Sequence, residues 1–223
     1  PTPNEPTVLV GPALLEGRFQ WTSDIQEALA ERRYTDALRD IQAMDPQTVA
    51  GPDAGDIAFV TAWTLLRSNR SKEAIPLLPK VEKSRTAPDD YRWLTIGEIY
   101  LADGNASKAA HAFDQIHPDS AVSVRAKLQL ASAYRKLGST KQSNAIYEQL
   151  VDRPDPVEGN EIALWAIAKR RGLSNPASEP LLRRLWMFYP FSSEGKKASS
   201  ELSSHHPAPS STERGRRAIR LME

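Results

Sequence analysis

Four histidines, His111, His117, His205 and His206, are the residues best suited to neutral-pH proton transfer or metal ligation. His111 and His117 stand six residues apart, which puts them on different faces of a helix and separates them as ligands. His205 and His206 lie in SSHHPAPSS, a polar tract that reads as a solvated linker. The paired carboxylates Asp89/Asp90, Asp152/Asp155 and Glu158/Glu161 fall at turns and helix starts, where the helix dipole favours acids. They read as caps rather than as a general acid and base. Cysteine is absent, which removes thiolate metal sites, disulfides and cysteine nucleophiles together. No GxSxG, P-loop or GxGxxG segment occurs, and no Ser-His-Asp order is found. The expectation is a chain with no catalytic residue, no metal and no cofactor. Of the five tryptophans, Trp63, Trp93, Trp165 and Trp186 fall within helical patterns and read as core, with Trp21 the least buried.

The elements that would carry these residues are helical. From about Thr22 the pattern is amphipathic segments joined by short polar turns, with no period-2 strand. Helices are predicted over 22–31, 35–44, 54–68, 71–83, 89–103, 106–116, 120–137, 140–151, 158–171, 175–188, 193–203 and 211–222. The seventeen prolines cluster at the boundaries between these segments. Residues 1–20 read as an extended, proline-bearing lead-in, and PTPNEPTVLVGP lacks the basic start and apolar core of a signal peptide. This start is expected for a trimmed chain or for one whose targeting segment is gone. The longest apolar runs, Ile57–Leu66 and Ile162–Ala168, fall short of the roughly 20 residues of a membrane helix. Lys and Arg total 29 against 28 Asp and Glu and are scattered, so neither nucleic acid nor an anionic membrane is selected.

These segments repeat. In Trp93–Phe113 a large residue, Ile96, Gly97 and Tyr100 mark one helix, and Ala109 and Phe113 the next. A step of 34 carries Tyr100 to Tyr134, Gly104 to Gly138 and Phe113 to Tyr147. A further step reaches Gly172 with Ala177, and a step back of 35 reaches Ala62, Leu65, Asn69, Ala74 and Leu78. An earlier hairpin places Ala37 and Ile41 in the second-helix slots. Period and residue types resemble the tetratricopeptide repeat. The predicted fold is therefore all-α, a superhelical solenoid of stacked antiparallel hairpins. The repeat domain is expected over 21–203, with 204–223 a linker and the start of a further repeat.

In such stacks the first helix of each hairpin lines the concave face. Late positions of those helices carry Arg67, Arg135, Lys136, Lys169 and Arg170, which either form a positive stripe for an acidic peptide or anionic polymer, or are solvated helix ends favoured by the dipole. In the repeat beginning at Trp93, the pattern leaves Tyr91, Glu98 and Leu101 free for a partner. The Lys/Asn pattern of the family's carboxylate clamps is missing. Tyr91, Leu94 and Glu98, then Arg125, Leu128 and Ser132, occupy those places. Capture of a chain-terminal carboxylate is not expected.

The last third is more distinctive. It contains NEIALWAIAKRRGLSNPASEPLLRRLWMFYPFSSEGKKASSEL, then TERGRRAIRLME. Leu181–Trp186 is rich in leucine and arginine, Tyr189–Pro190 breaks the helix, Ser192–Leu202 is serine-rich, and Arg214–Leu221 is arginine-rich. This succession resembles the helical N-terminal region of bacterial soluble lytic murein transglycosylases. The resemblance implies a periplasmic or cell-envelope protein acting on peptidoglycan, whose helices support a lysozyme-like catalytic domain of the same chain. The family's catalytic Glu-Ser pair and Gly-Leu-Met-Gln-like segment do not occur here. The expected role is thus a non-catalytic scaffold with a protein or peptide partner, and peptidoglycan is a further candidate partner. The alternative is a general interaction adaptor in envelope assembly or secretion; a cytoplasmic location stays open.

Overall fold

A computed structural model describes residues 21–152, 157 and 159–221, and the lead-in expected over 1–20 lies outside them. Every regular element among the described residues is a helix. The chain divides into two compact units, 1–133 and 134–223.

The first unit holds α1 (Ser23–Ala30), α2 (Tyr34–Gln42), α3 (Pro46–Ala50), α4 (Ala54–Arg67), α5 (Ser71–Ala74), α6 (Leu78–Val81), α7 (Asp89–Ala102) and α8 (Ala106–Asp114). Helix α9 (Ser123–Lys136) crosses the division. The second unit continues with α10 (Thr140–Val151), α11 (Asn160–Arg171), α12 (Glu179–Phe188), α13 (Ser193–His205) and α14 (Ser211–Arg220).

Most boundaries fall within a few residues of those predicted, and two of the departures have local causes. The helix expected over 71–83 is broken into α5, a 3-10 turn at Ile75–Leu77 and α6. Pro76 and Pro79 there cannot donate a backbone hydrogen bond. Helix α3 was not expected. Asp45 starts it by accepting from the Gln47 amide at 2.9 Å, with Pro46 at the first helical position.

Four hairpin turns close in one way. The amides of Arg33, Arg70, Asn105 and Ser139 donate to the carbonyls of Ala28, Leu65, Tyr100 and Tyr134 at 2.7–2.8 Å, each spanning five residues. The residue before each donor (Arg32, Asn69, Gly104, Gly138) has φ between 58° and 87°. This is the helix ending that needs one left-handed residue, and it explains why glycine recurs there at the repeat spacing. Arg32 fills the same place without being a residue type that advertises it.

Side chains chosen for size hold the hairpins closed. Ala37, Ala62, Ala74 and Ala109 are fully buried, and Phe113 and Tyr147 lie in the interior. The tryptophans depart from expectation. Trp21 is buried, with Gln26 Nε2 donating to its carbonyl at 3.0 Å, and it belongs to the core formed with Ile25, Leu38 and Ile57. Trp93 and Trp165 are the half-exposed ones.

Candidate partner-binding surface

The predicted binding residues do not share one environment. In the first unit Arg67 is half-buried, with its guanidinium 5.3 Å from the centre of the Trp63 ring. It covers an aromatic face rather than extending into a groove. Glu98, expected to be free, is only 9 % exposed and is held by Arg125 of α9, whose Nε and Nη2 lie 2.7 and 2.6 Å from Oε1. Leu101 is also buried, at 8 % exposure. Glu98 and Leu101 are therefore structural, and the reading of both as partner contacts is corrected. Tyr91 stays half-exposed while packing on the core of the first unit.

Arg135, Lys136 and Lys169 of the second unit are exposed. Arg170 is exposed as well but is paired. Its Nη2 bonds Glu148 Oε1, and Arg171 Nη2 lies 3.4 Å from Oε2 of the same carboxylate, tying α11 to α10. Of the four basic residues at the ends of α9 and α11, all exposed, Arg170 also takes part in a seam between helices.

Another surface emerges on α11. Ala163, Leu164, Ile167 and Ala168 are buried, yet the opposite face is not polar. Ile162 is 46 % exposed, Trp165 and Ala166 are half-exposed, and Lys169 is exposed; their spacing places all four on one face. Lys197 of α13 sets its ammonium 5.8 Å from the Trp165 ring centre and 3.7 Å from Glu194. An exposed isoleucine beside a tryptophan with lysines around it can receive an apolar side chain and a neighbouring carboxylate. This face was legible in the sequence as apolar residues all round NEIALWAIAKRR, more than one buried stripe needs. The first unit separately holds an apolar cleft of about 450 Å³, lined by Met44, Val49, Ile57 and Leu77 among others, with Lys80 also in its lining.

Several of the candidate carboxylates and histidines make local contacts. Asp90 accepts from the His117 amide at 3.0 Å, and Asp89 pairs with Arg92 at 2.5 Å. No cluster of three histidines or carboxylates able to hold a metal occurs among the described residues. The segment at His206 is a linker but not a solvated one there: the His206 side chain is 2 % exposed, Nε2 lies 2.7 Å from the Leu173 carbonyl and Nδ1 3.7 Å from Glu179. Asp155 and Glu158 lie outside the described residues. No helix among the described residues is long and apolar enough to cross a membrane.

No curated protein matches this chain. The tetratricopeptide repeat family model matches residues 125–155, the stretch that runs from within α9 to just beyond α10, so this all-α chain of helical hairpins contains a recognisable tetratricopeptide-like repeat, an architecture that serves as a scaffold for protein partners.

Proposed function

We propose that this chain is a non-catalytic scaffold that binds a protein or peptide through the exposed face of α11 and the adjoining part of α13. The observation that carries this reading is the half-open Ile162–Trp165–Lys169 face with Lys197 beside the tryptophan. A solvent-facing helix surface needs neither an isoleucine nor a tryptophan, whereas an interface core uses both. The test is site-specific photo-cross-linking in the native host, with a benzophenone side chain at Ile162 or Trp165 and controls at exposed Thr35 and Ala145. Defined adducts at the first two positions and none at the controls are expected. Equal labelling everywhere would sink the assignment.

Within that reading, we place the scaffold in the cell envelope as the helical region of a peptidoglycan lytic transglycosylase. What supports this is the tail pattern: leucine- and arginine-rich α12, the Tyr189–Pro190 break, serine-rich α13 and arginine-rich α14. Its partner is then a lysozyme-like catalytic domain. Periplasmic fractionation and co-sedimentation with purified murein test the location and the association. Turbidity clearing of murein by this chain alone would overturn the non-catalytic assignment. A soluble partner unrelated to peptidoglycan would favour the general adaptor.

A further inference from the structure

Helix α14 is attached in an unusual way. None of its described side chains is buried. It is held to α12 by polar and aromatic contacts: Arg183 Nη1 reaches both oxygens of Glu213 at 3.1 and 3.2 Å, and the Arg217 guanidinium lies 4.4 Å from the centre of the Trp186 ring. Glu213 and Arg217 are one turn apart and define the inward face.

The opposite face carries Gly215, Ala218 and Ile219, all exposed, with Ile219 at 57 %. A Cβ at Gly215 would meet nothing within 4 Å. At 100° per residue, Arg214 and Arg216 fall on opposite edges of this face. Both are exposed and form no ion pair among the described residues. The result is an open, small-residue and isoleucine strip bracketed by unpaired arginines, while the acid of this helix is turned inward.

We propose that this outer face of α14 docks an acidic amphipathic helix of a partner protein. Gly215 and Ala218 let a second helix approach closely, Ile219 supplies the apolar contact, and Arg214 and Arg216 meet carboxylates on the partner's flanks as edge charges do in paired helices. A second copy of α14 fits poorly, because it would bring arginines against arginines. An anionic membrane fits less well too, since a surface-lying helix needs a broad face of bulky side chains and this strip is mostly glycine and alanine.

The test uses the full chain and a labelled synthetic helix of about 20 residues, with leucine and alanine on one face and glutamates along both edges. Fluorescence anisotropy should show saturable binding, weakened about tenfold or more when lysines replace the glutamates. Arg214→Glu/Arg216→Glu should reverse that preference, and Ile219→Ser should weaken binding of the glutamate peptide, with the far-UV circular dichroism unchanged. Equal binding of the two peptides to the unaltered chain, or binding of neither, would overturn the proposal without depending on any variant. So would co-sedimentation with phosphatidylglycerol-containing vesicles in place of peptide binding.

Discussion

Phe113 fills the space that a side chain at Gly97 would need. A methyl group there would fall within 2.8 Å of Phe113 Cζ and closer still to two other ring carbons. Helices α7 and α8 therefore close at this point because one residue has no side chain and the other is a ring, 3 % exposed. Phe113→Ala should cost about 3–5 kcal/mol through the cavity it leaves. Gly97→Ala should cost about 1–3 kcal/mol through overpacking. In urea unfolding, Gly97→Ala combined with Phe113→Leu should be less damaging than the sum of the two single changes. Strict additivity would mean that the two residues do not share this space.

This contact also shows what the sequence could reveal. Gly97, Phe113, Ala109 and the turn glycines obey the repeat because sterics at a fixed spacing leave few alternatives. The side chains that pair across helices are not constrained in that way. Nothing in the local pattern around Glu98 tells that Arg125, 27 residues on, will neutralise it, or that Glu148 will draw Arg170 away from Lys169. Trp21 is another such case: it precedes the first helix, and only the folded chain brings it onto the Ile25 and Leu38 core. Periodicity thus located the helices, while long-range pairing decided which charges remained available to a partner.

Asp56 and Ser84 form an acid-sensitive latch. Burial by itself would raise the Asp56 pKa, but hydrogen bonds from Ser84 Oγ at 2.5 Å, the Thr86 amide at 3.2 Å and the Arg85 amide at 2.9 Å hold it below its ordinary value of 3.8. A carboxyl with a depressed folded pKa contributes stability that is complete above the unfolded value and lost as pH falls through the folded one. Asp56→Asn should therefore destabilise the protein at neutral pH by about 1–3 kcal/mol, with the gap to wild type narrowing below pH ~4. Chemical denaturation at neutral and acidic pH checks this. A gap that widened in acid would show that the carboxylate is not the stabilising form.

Neighbouring basic residues should behave differently. Lys169→Glu is expected to lower partner capture at the α11 face and leave unfolding unchanged, because Lys169 is exposed. Arg170→Glu brings a second carboxylate to Glu148 and should cost about 0.5–1 kcal/mol while affecting capture less. Cross-linking yield from Trp165 and urea midpoints, read side by side, distinguish these outcomes. Equal loss of capture at Lys169 and Arg170 would return Arg170 to the binding surface.

The linker between α13 and α14 is held from two sides. His206 places Nε2 on the Leu173 carbonyl and Nδ1 near Glu179, and Arg183 donates to the Pro207 carbonyl at 2.9 Å while bridging Glu179 and Glu213. His206→Ala leaves the Leu173 carbonyl without this donor and removes the inner support of the linker, at a cost of about 1–3 kcal/mol. His206→Gln can still donate and should retain part of that stability. Because α14 has no buried apolar anchor, the loss should be local. Amide exchange should accelerate over 206–220 in His206→Ala, with α10 and α11 little changed. Uniform acceleration across the second unit would instead mean that His206 supports its whole core, and that α14 does not open as a separate element.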